Sequence, residues 1–210
     1  MNVAAKPDSF GICAFCEQPV AKRLATRHVA SCPKRPTGPA SALHLVIEGG
    51  ATREYWLHVL ASPDQTFADL DDLLRATWLE CCGHLSAFKV GADRFEWDND
   101  GWGKPPREMT TPLADVLVKG VKFVHDYDFG STTRLTGRSA GTVEGVPAAS
   151  ELRVVAQNQP PAIACEKCGA PAAWVASYQP LCKKCGKKVD EYDRLPVVNS
   201  PRMGVCGYTG

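Results

Sequence analysis

The stretch LHLVIEGGATREYWLHVL, residues 43–60, decides the fold that this sequence predicts. Its two runs, 43–48 and 54–60, have the alternation of strands, and Gly49-Gly50 stands between them. Alternation with a period of two places successive side chains on opposite faces of a strand, and paired glycines favour a chain reversal. We therefore predict a β-hairpin with a loop of several residues.

A helix is predicted directly after this hairpin. Thr66 and Asp69 form the pattern of a capping box, which marks the start of a helix. Apolar residues then recur at helical spacing, which predicts one buried face. That face carries Phe67, Leu70, Leu73, Leu74 and Trp78.

The rest of the central region adds strands and a second helix. Strands are predicted at 85–90, 94–97, 121–127 and 151–157. A short helix is predicted from Thr111-Pro112 to just before Gly120, because proline suits the first turn of a helix and glycine its end. The order β-β-α-β-β-α-β-β predicts an α+β fold, an antiparallel sheet with helices on one face.

Two cysteine-containing flanks enclose the central region. The chain has 210 residues, 44% of them hydrophobic, which suffices for one core of about 100–150 residues and small attachments. The segment 33–39, PKRPTGP, breaks any helix and marks a linker. We predict a zinc finger at 1–36, the α+β domain at 41–158, and a zinc ribbon with a C-terminal tail at 160–210.

Four residues near the N-terminus have the spacing of a zinc finger. They are Cys13, Cys16, His28 and Cys32, in the pattern C-x2-C-x11-H-x3-C. Thiolates and imidazoles are ligands of tetrahedral zinc, and a helix over 22–32 would place His28 and Cys32 on one face. The pattern predicts a ββα-like or turn-plus-helix finger around a structural zinc ion. Its apolar contacts are expected from Val20, Leu24 and Val29.

Four cysteines in the second flank predict a zinc ribbon. They are Cys165, Cys168, Cys182 and Cys185, in the pattern C-x2-C-x13-C-x2-C, with a strand expected at 174–178. Gly169 and Gly186 follow the two pairs, and we expect both to take the left-handed conformation of a knuckle turn. Both four-ligand sets are closed, so they predict two structural zinc ions rather than catalytic ones.

The remaining cysteines and an acidic group are not assigned to a site. Cys81, Cys82 and His84 form a compact turn with an expected structural role, since adjacent cysteines rarely chelate one ion. Cys206 has no evident partner and is expected to be a buried or a reactive thiol. A solvated surface is expected for the acidic residues around the predicted loop at 98–106 and beside His125. They are Asp93, Glu96, Asp98, Asp100, Asp126 and Asp128.

Two motifs stand out in the central region, His84-Leu85-x-x-Phe88 and Tyr127-Asp128-Phe129-Gly130. By these motifs, residues 43–157 resemble the plasmid pRiA4b ORF-3-like family, also described as IS1096 TnpR-like. The usual pattern continues with Asp, Trp and His, where this chain has Ser131, Thr133 and Leu135. The resemblance implies an α+β fold and an association with mobile elements. The N-terminal spacing resembles the Rad18-type class of ubiquitin-binding fingers, and similar fingers bind nucleic acid.

The charge distribution and the motifs favour a binding protein. Net charges are +4 over 1–36, −6 over 41–150 and +2 over 160–194, and basic ends suit nucleic acid. The expected contacts are Lys22, Arg23, Arg27, Lys34, Arg35, Lys183, Lys184, Lys187 and Lys188. No nucleophile elbow, phosphate loop or dinucleotide fingerprint occurs, so no catalytic or cofactor-binding residue is assigned. We predict a non-enzymatic, zinc-stabilised protein that binds nucleic acid.

Two alternatives remain. One is a protein–protein adaptor that uses the finger or a sheet edge. The other is a metal-dependent hydrolase centred on His84, His125, Asp126 and Asp128, which requires these side chains to converge on one cation. No run approaches the roughly 20 apolar residues of a membrane span, so no membrane partner is expected. Paired cysteines without a secretory leader favour a reducing compartment, and we expect a cytoplasmic location.

Overall fold

The computed structural model describes residues 9–97 and 105–210, which form two antiparallel sheets with few helices. The strands are β1 (Phe10–Cys13), β2 (Pro19–Ala21), β3 (Ala40–Gly49), β4 (Trp56–Ala61), β5 (Ser86–Val90), β6 (Asp93–Phe95), β7 (Lys122–Tyr127), β8 (Thr133–Val146), β9 (Arg153–Asn158), β10 (Trp174–Ala176), β11 (Gln179–Leu181) and β12 (Leu195–Pro196). The larger sheet has the order β2-β1-β9-β4-β3-β8-β7-β5-β6, and the smaller has the order β11-β10-β12. The predicted α+β class, with an antiparallel sheet and small Cys/His modules, is confirmed.

The helices are short and lie between strands. They are α1 (Lys22–Ser31), α2 (Phe67–Leu74) and α3 (Lys183–Gly186), with a π-helical turn at Arg75–Leu79 and 3-10 turns at Leu113–Asp115 and Glu191–Asp193. Helix α2 begins where the sequence predicts. The Thr66 hydroxyl accepts from the Asp69 N–H at 3.2 Å, and the Asp69 carboxylate accepts from the Thr66 N–H at 2.8 Å. This reciprocal pair is the predicted capping box.

The predicted hairpin is the pair β3–β4, which lies inside the nine-stranded sheet. Its side chains alternate between the two faces of that sheet. On one face, Leu45 and Leu57 pack with Phe67, Leu70 and Leu74 of α2 in the main core. On the reverse face, a second core lies under α1. Each helix therefore buries its apolar side against a different face of the same sheet.

The second core joins the N-terminal module to the central sheet. Ala25 and Val29 of α1 pack with Trp56, whose side chain is fully buried. Strand β1 also pairs with β9, with Gly11 opposite Asn158. Gly11 allows this approach because a Cβ there would lie 2.5 Å from Cη2 of Trp56. The first flank thus shares the large sheet, whereas the second flank has the three-stranded sheet.

The prediction of a second helix is wrong. Its place is taken by the 3-10 turn Leu113–Asp115, and Pro112 before it is extended. Pro112 forms a β-bridge with Thr66, and the Leu113 N–H donates to the Gln65 carbonyl at 2.7 Å. The chain here runs beside the start of α2 because its backbone groups are already paired to that segment.

Strand β8, which the sequence analysis missed, is central to the sheet. It spans 14 residues and pairs with both β3 and β7. The sequence pattern does not indicate this strand, because its glycines disfavour strands and disrupt the apolar alternation. Gly137 is required by packing, because a Cβ there would overlap the ring of Phe123. The glycine therefore marks a close ring-to-backbone contact within the sheet.

Two histidines are buried on the face of the sheet that α1 covers. His44 Nε2 and His58 Nδ1 are 2.8 Å apart. Burial and, less strongly, the charge of Arg138 lower the pKa of His44 to about 4. Burial, with the charges of His44 and Arg138, lowers the pKa of His58 to about 3. Both rings are therefore neutral in the folded protein near pH 7.

We expect acid to destabilise the fold through this pair. Because each folded-state pKa is below its unfolded value, the unfolded chain binds protons first as the pH falls below about 6.5. Between pH 7 and pH 5, each histidine should lower the free energy of unfolding by about 2 kcal/mol. Urea unfolding should show a smaller loss over this interval for His58→Gln than for the unchanged chain. Equal losses would contradict the assignment.

Candidate metal centres

Three clusters of cysteine and histidine side chains in the described part of the chain can hold metal ions. Within each cluster, the four ligand atoms lie within 4.8 Å of one another. The finger cluster is Cys13, Cys16, His28 and Cys32; the central cluster is Cys81, Cys82, His84 and Cys206; the ribbon cluster is Cys165, Cys168, Cys182 and Cys185. Together they contain all ten cysteines of the chain, which are all free thiols.

The finger cluster forms where the β1–β2 hairpin meets α1. Cys13 ends β1, Cys16 lies in the next turn, and His28 and Cys32 lie one helical turn apart. Cys13 Sγ is 4.0 Å from Cys32 Sγ, and Cys16 Sγ is 3.4 Å from His28 Nε2. All three thiols are buried. The two strands and the helix form the ββα arrangement that the spacing predicts.

The apolar support of the finger cluster differs from the prediction at one residue. Val20 and Val29 are buried, but Leu24 is exposed. Ala25 is buried in its place, because it lies one helical turn before Val29 on the face of α1 that meets the sheet. The face of α1 is thus set by the sheet it covers.

The ribbon cluster lies between the β10–β11 hairpin and α3. Cys168 Sγ is 3.6 Å from Cys182 Sγ and 3.8 Å from Cys185 Sγ. Gly169 has a φ of +73° and donates its N–H to the Cys165 carbonyl at 2.8 Å, as a knuckle turn requires. Gly186 is not left-handed, so that expectation is wrong. It belongs to α3, and a Cβ there would lie 2.7 Å from Cδ1 of Trp174.

The thiols of the ribbon cluster have opposed acidities. Backbone N–H groups, first that of Cys182, lower the pKa of Cys165 to about 6. Hydrogen bonds with Cys182, burial and neighbouring thiols raise the pKa of Cys185 to about 12. Four thiolates this close repel one another, and a divalent cation among them would offset that repulsion. The cluster is therefore compatible with zinc, as is the finger cluster with its three thiols and one imidazole.

The central cluster was missed as a set. Cys81, Cys82 and His84 lie in the turn between the π-helical turn and β5, and Cys206 is 122 residues beyond His84. Cys82 Sγ lies near the other three ligand atoms of this cluster: it is 3.0 Å from His84 Nε2, 3.6 Å from Cys81 Sγ and 3.9 Å from Cys206 Sγ. His84 Nε2 is 3.2 Å from Cys206 Sγ. The local Cys-Cys-Gly-His turn was a signal for three of these ligands; only the fold supplies the fourth.

Cys206 is exposed, which excludes the first of its two expected roles, a buried thiol, and leaves the second, a reactive thiol. Other residues of its segment, residues 197–210, hold that segment against the central domain. The Ser200 hydroxyl donates to the Trp78 carbonyl at 2.6 Å, and Tyr208 is buried. Cys206 itself has a φ of +50°, a conformation that is uncommon outside glycine. The strained backbone places its thiol beside Cys82.

A buried ion pair supports the central cluster. Arg202 is fully buried and donates to Asp128 Oδ2 at 2.8 Å and to Cys81 Sγ at 3.4 Å. The hydrogen bond from Arg202, with N–H groups of Ser131 and Gly130, lowers the pKa of Asp128 to about 2. Burial acts to raise the pKa of Cys81, but Arg202 and Cys82 outweigh it and the pKa is lowered. Arg202 thus favours a thiolate at Cys81.

The residues of the hydrolase hypothesis do not converge. His84 Nε2 is 3.6 Å from Asp128 Oδ2, but His125 is fully buried and its Nε2 contacts Asp71 Oδ1 at 2.6 Å. Asp126 points away from both and pairs with Arg134 through two bonds of 2.7 Å. This fold therefore does not form a site in which all four residues could hold one cation.

The other acidic residues either form ion pairs or lie outside the residues that the structure describes. Glu96 pairs with Arg94 at 2.6 Å, and Asp93 lies 3.5 Å from Arg107. Asp98 and Asp100 lie outside the described residues, as does most of the predicted loop at 98–106. Among the residues that the structure describes, the acidic group therefore forms no metal site.

Comparisons with known proteins leave the family open. No family model and no curated protein matches the chain. A crystal structure of a protein of unknown function from Methanosarcina mazei Go1 is similar, with a TM-score of 0.47 and 16% identity. The similarity covers 55% of this chain and 68% of that one. Across residues 9–97 and 105–210, no helix has both the length and the apolar character needed to cross a bilayer.

Proposed function

We propose that this protein is a non-enzymatic, zinc-stabilised nucleic-acid-binding protein that contacts single strands through its second flank. The observation that carries the proposal is Tyr178, at the tip of the β10–β11 hairpin. Its side chain is 75% exposed. Single-strand-binding proteins stack bases on such rings and hold the phosphates with lysine and arginine.

The backbone at this tip is itself unusual. Ala176 pairs with Gln179, so Ser177 and Tyr178 form a two-residue turn, with φ values of +48° and +65°. Such turns ordinarily use asparagine or glycine, because a bulky residue with positive φ is strained. A strained residue whose side chain is mostly exposed is a candidate for function rather than for stability. A stacking role gives the ring a reason to stand in solvent.

Basic side chains follow this ring in the sequence and belong to the same module. Lys183, Lys184, Lys187 and Lys188 are exposed on α3 and just after it, and α3 packs on β10 and β11. Tyr192 adds a second ring, 89% exposed. These groups supply the positive charge and the π-faces that single strands require.

The basic residues of the first flank support the proposal less well. Lys22 pairs with Glu48 at 3.1 Å and donates to the Arg53 carbonyl at 2.6 Å. Arg35 donates to the carbonyls of Glu144 and Gly145. Because these side chains fasten the finger to the sheet, fewer charges are left there for phosphates.

Zinc has a supporting role in this proposal. The ribbon cluster would hold one structural ion and the finger cluster another, and the ribbon ion would position the hairpin and α3. We also propose, from the motifs His84-Leu85-x-x-Phe88 and Tyr127-Asp128-Phe129-Gly130, that the central domain is of the pRiA4b ORF-3-like kind and is linked to mobile elements. A cytoplasmic location fits free thiols in a reducing compartment.

Fluorescence anisotropy with a labelled 20-nucleotide oligothymidylate tests the proposal. If the four lysines contact phosphates, the slope of log affinity against log salt should be about −3. Changing all four lysines to alanine should bring that slope close to zero. Tyr178→Ala should weaken binding about 5- to 150-fold, the loss of one stacked base.

Matched variants separate these effects from general damage. Lys89→Ala with Lys122→Ala removes two exposed lysines from the central sheet and should leave the affinity unchanged. Tyr178→Phe keeps the ring and should also bind normally. Absence of binding to single- and double-stranded oligonucleotides alike would reject the proposal and leave the protein-adaptor alternative.

A further inference from the structure

We propose that Cys81, Cys82, His84 and Cys206 hold a third zinc ion, which fastens the C-terminal segment (residues 197–210) to the central domain. This inference goes beyond the nucleic-acid proposal and does not depend on it. The two ions predicted from the sequence lie in the flanks. The third would lie in the central domain, at a place where sequence spacing gives no complete ligand set.

The separations of the ligand atoms carry the proposal. Zinc–sulfur bonds of about 2.3 Å in a tetrahedron place two sulfurs about 3.8 Å apart, and a sulfur and a nitrogen about 3.6 Å apart. In the central cluster, Cys82 Sγ is 3.9 Å from Cys206 Sγ and 3.6 Å from Cys81 Sγ. The corresponding sulfur separations in the ribbon cluster are 3.6 and 3.8 Å.

The imidazole faces the same sulfurs at shorter range. His84 Nε2 lies 3.0 Å from Cys82 Sγ and 3.2 Å from Cys206 Sγ, so a bound ion would require the ring to move back by about 0.5 Å. In the finger cluster the equivalent distance, from His28 Nε2 to Cys16 Sγ, is 3.4 Å. The central cluster therefore has the donor set of the finger cluster, three thiols and one imidazole, at similar spacing.

The backbone turns these side chains toward one point. Gly83 takes a φ of +76° between Cys82 and His84, which glycine adopts without strain, and the Glu80 carboxylate accepts its N–H. Cys206 takes a φ of +50°, which is uncommon for a residue other than glycine. This strained backbone brings the Cys206 thiol to the cluster, where a metal bond can stabilise it.

Arg202 offsets part of the charge that a bound ion would bring. A zinc ion with three thiolates and a neutral imidazole carries one net negative charge. The Arg202 guanidinium is shared between Asp128 Oδ2 at 2.8 Å and Cys81 Sγ at 3.4 Å. Outer-shell hydrogen bonds of this kind to ligating sulfurs hold a metal site in shape. Arg202 belongs to the same segment as Cys206, so the ion and the ion pair would act together.

Exposure distinguishes the third ion from the finger ion. Cys82 and Cys206 are exposed, whereas the finger thiols are all buried; the ribbon cluster lies between these cases, because Cys168 is exposed and Cys165 and Cys182 are buried. A colorimetric chelator should therefore remove the central ion before the finger ion.

Metal analysis of the full chain, purified under reducing conditions, tests the proposal. The unchanged chain should contain about three zinc ions and Cys206→Ser about two. Val205→Ser places the same side chain at the neighbouring position and should keep all three ions. In the unchanged chain, iodoacetamide should modify Cys82 and Cys206 slowly, and chelation should accelerate both reactions about 10-fold or more.

The alkylation experiment needs no variant, so it decides the matter even if Cys206→Ser fails to fold. A content of two zinc ions, with Cys82 and Cys206 modified at equal rates before and after chelation, would overturn the proposal. A cobalt-loaded chain whose thiolate absorption is unchanged by Cys206→Ser would overturn it as well.

Discussion

Replacing Cys13 by serine should release the finger ion and lower the free energy of unfolding of the whole nine-stranded sheet by about 3–6 kcal/mol. The estimate is the value of about two buried apolar side chains, at about 1.5–3 kcal/mol each. The effect spreads because Cys13 ends β1, which pairs with β9, and because α1 covers Trp56. Loss of the ion would free both elements and expose the second core.

The ribbon provides the matched comparison. Cys165→Ser should remove one ion and unfold the three-stranded sheet, since those strands pair only with one another. The nine-stranded sheet should keep its stability. Hydrogen exchange in β4 and β9 should therefore accelerate in Cys13→Ser and stay near its normal rate in Cys165→Ser. Equal acceleration in the two variants would show that the finger has no special attachment to the large sheet.

Arg202→Met should destabilise the protein by about 3–5 kcal/mol, the usual penalty for leaving one partner of a buried ion pair alone. The Arg202 side chain is fully buried and holds Asp128 at 2.8 Å and Thr133 Oγ1 at 3.0 Å. Methionine keeps the apolar stem but removes the charge, so Asp128 would lose its main partner in the interior.

An exposed ion pair supplies the control. Arg134 holds Asp126 through two bonds of 2.7 Å, but its side chain is 61% exposed. Arg134→Met should therefore change stability by about 1 kcal/mol or less, because water screens the pair. The comparison is made by urea unfolding at pH 7 with zinc present. If both variants lost the same stability, burial would not be the reason for the effect of Arg202.

Elements with a strong local signal were predicted well. The capping box of Thr66 and Asp69 starts α2, and the alternation over 43–60 forms the β3–β4 hairpin. The two closed ligand sets meet in space for the same reason. A C-x2-C pair closes a turn, and His28 and Cys32 share a helix face. Local geometry requires no knowledge of the distant chain.

The missed elements depend on contacts between distant segments. Gly137 weakens the local signal of β8, yet the strand forms because it pairs with β3 and β7 and receives the ring of Phe123. Pro112 suggested a helix, but pairing with Thr66 holds it extended. In both cases, tertiary partners outweigh a weak local preference.

The sequence by itself determined the α+β class, the first hairpin with its helix, and the finger and ribbon ligand sets. The hairpin with its helix and the two ligand sets rest on spacings within about 35 residues, where turns and helices fix the geometry, and the class rests on the order of the predicted elements. Only the tertiary structure decided that the finger belongs to the large sheet and that Cys206 reaches His84 across 122 residues. Those outcomes follow from long-range strand pairing and from the burial of Arg202, which no short spacing encodes.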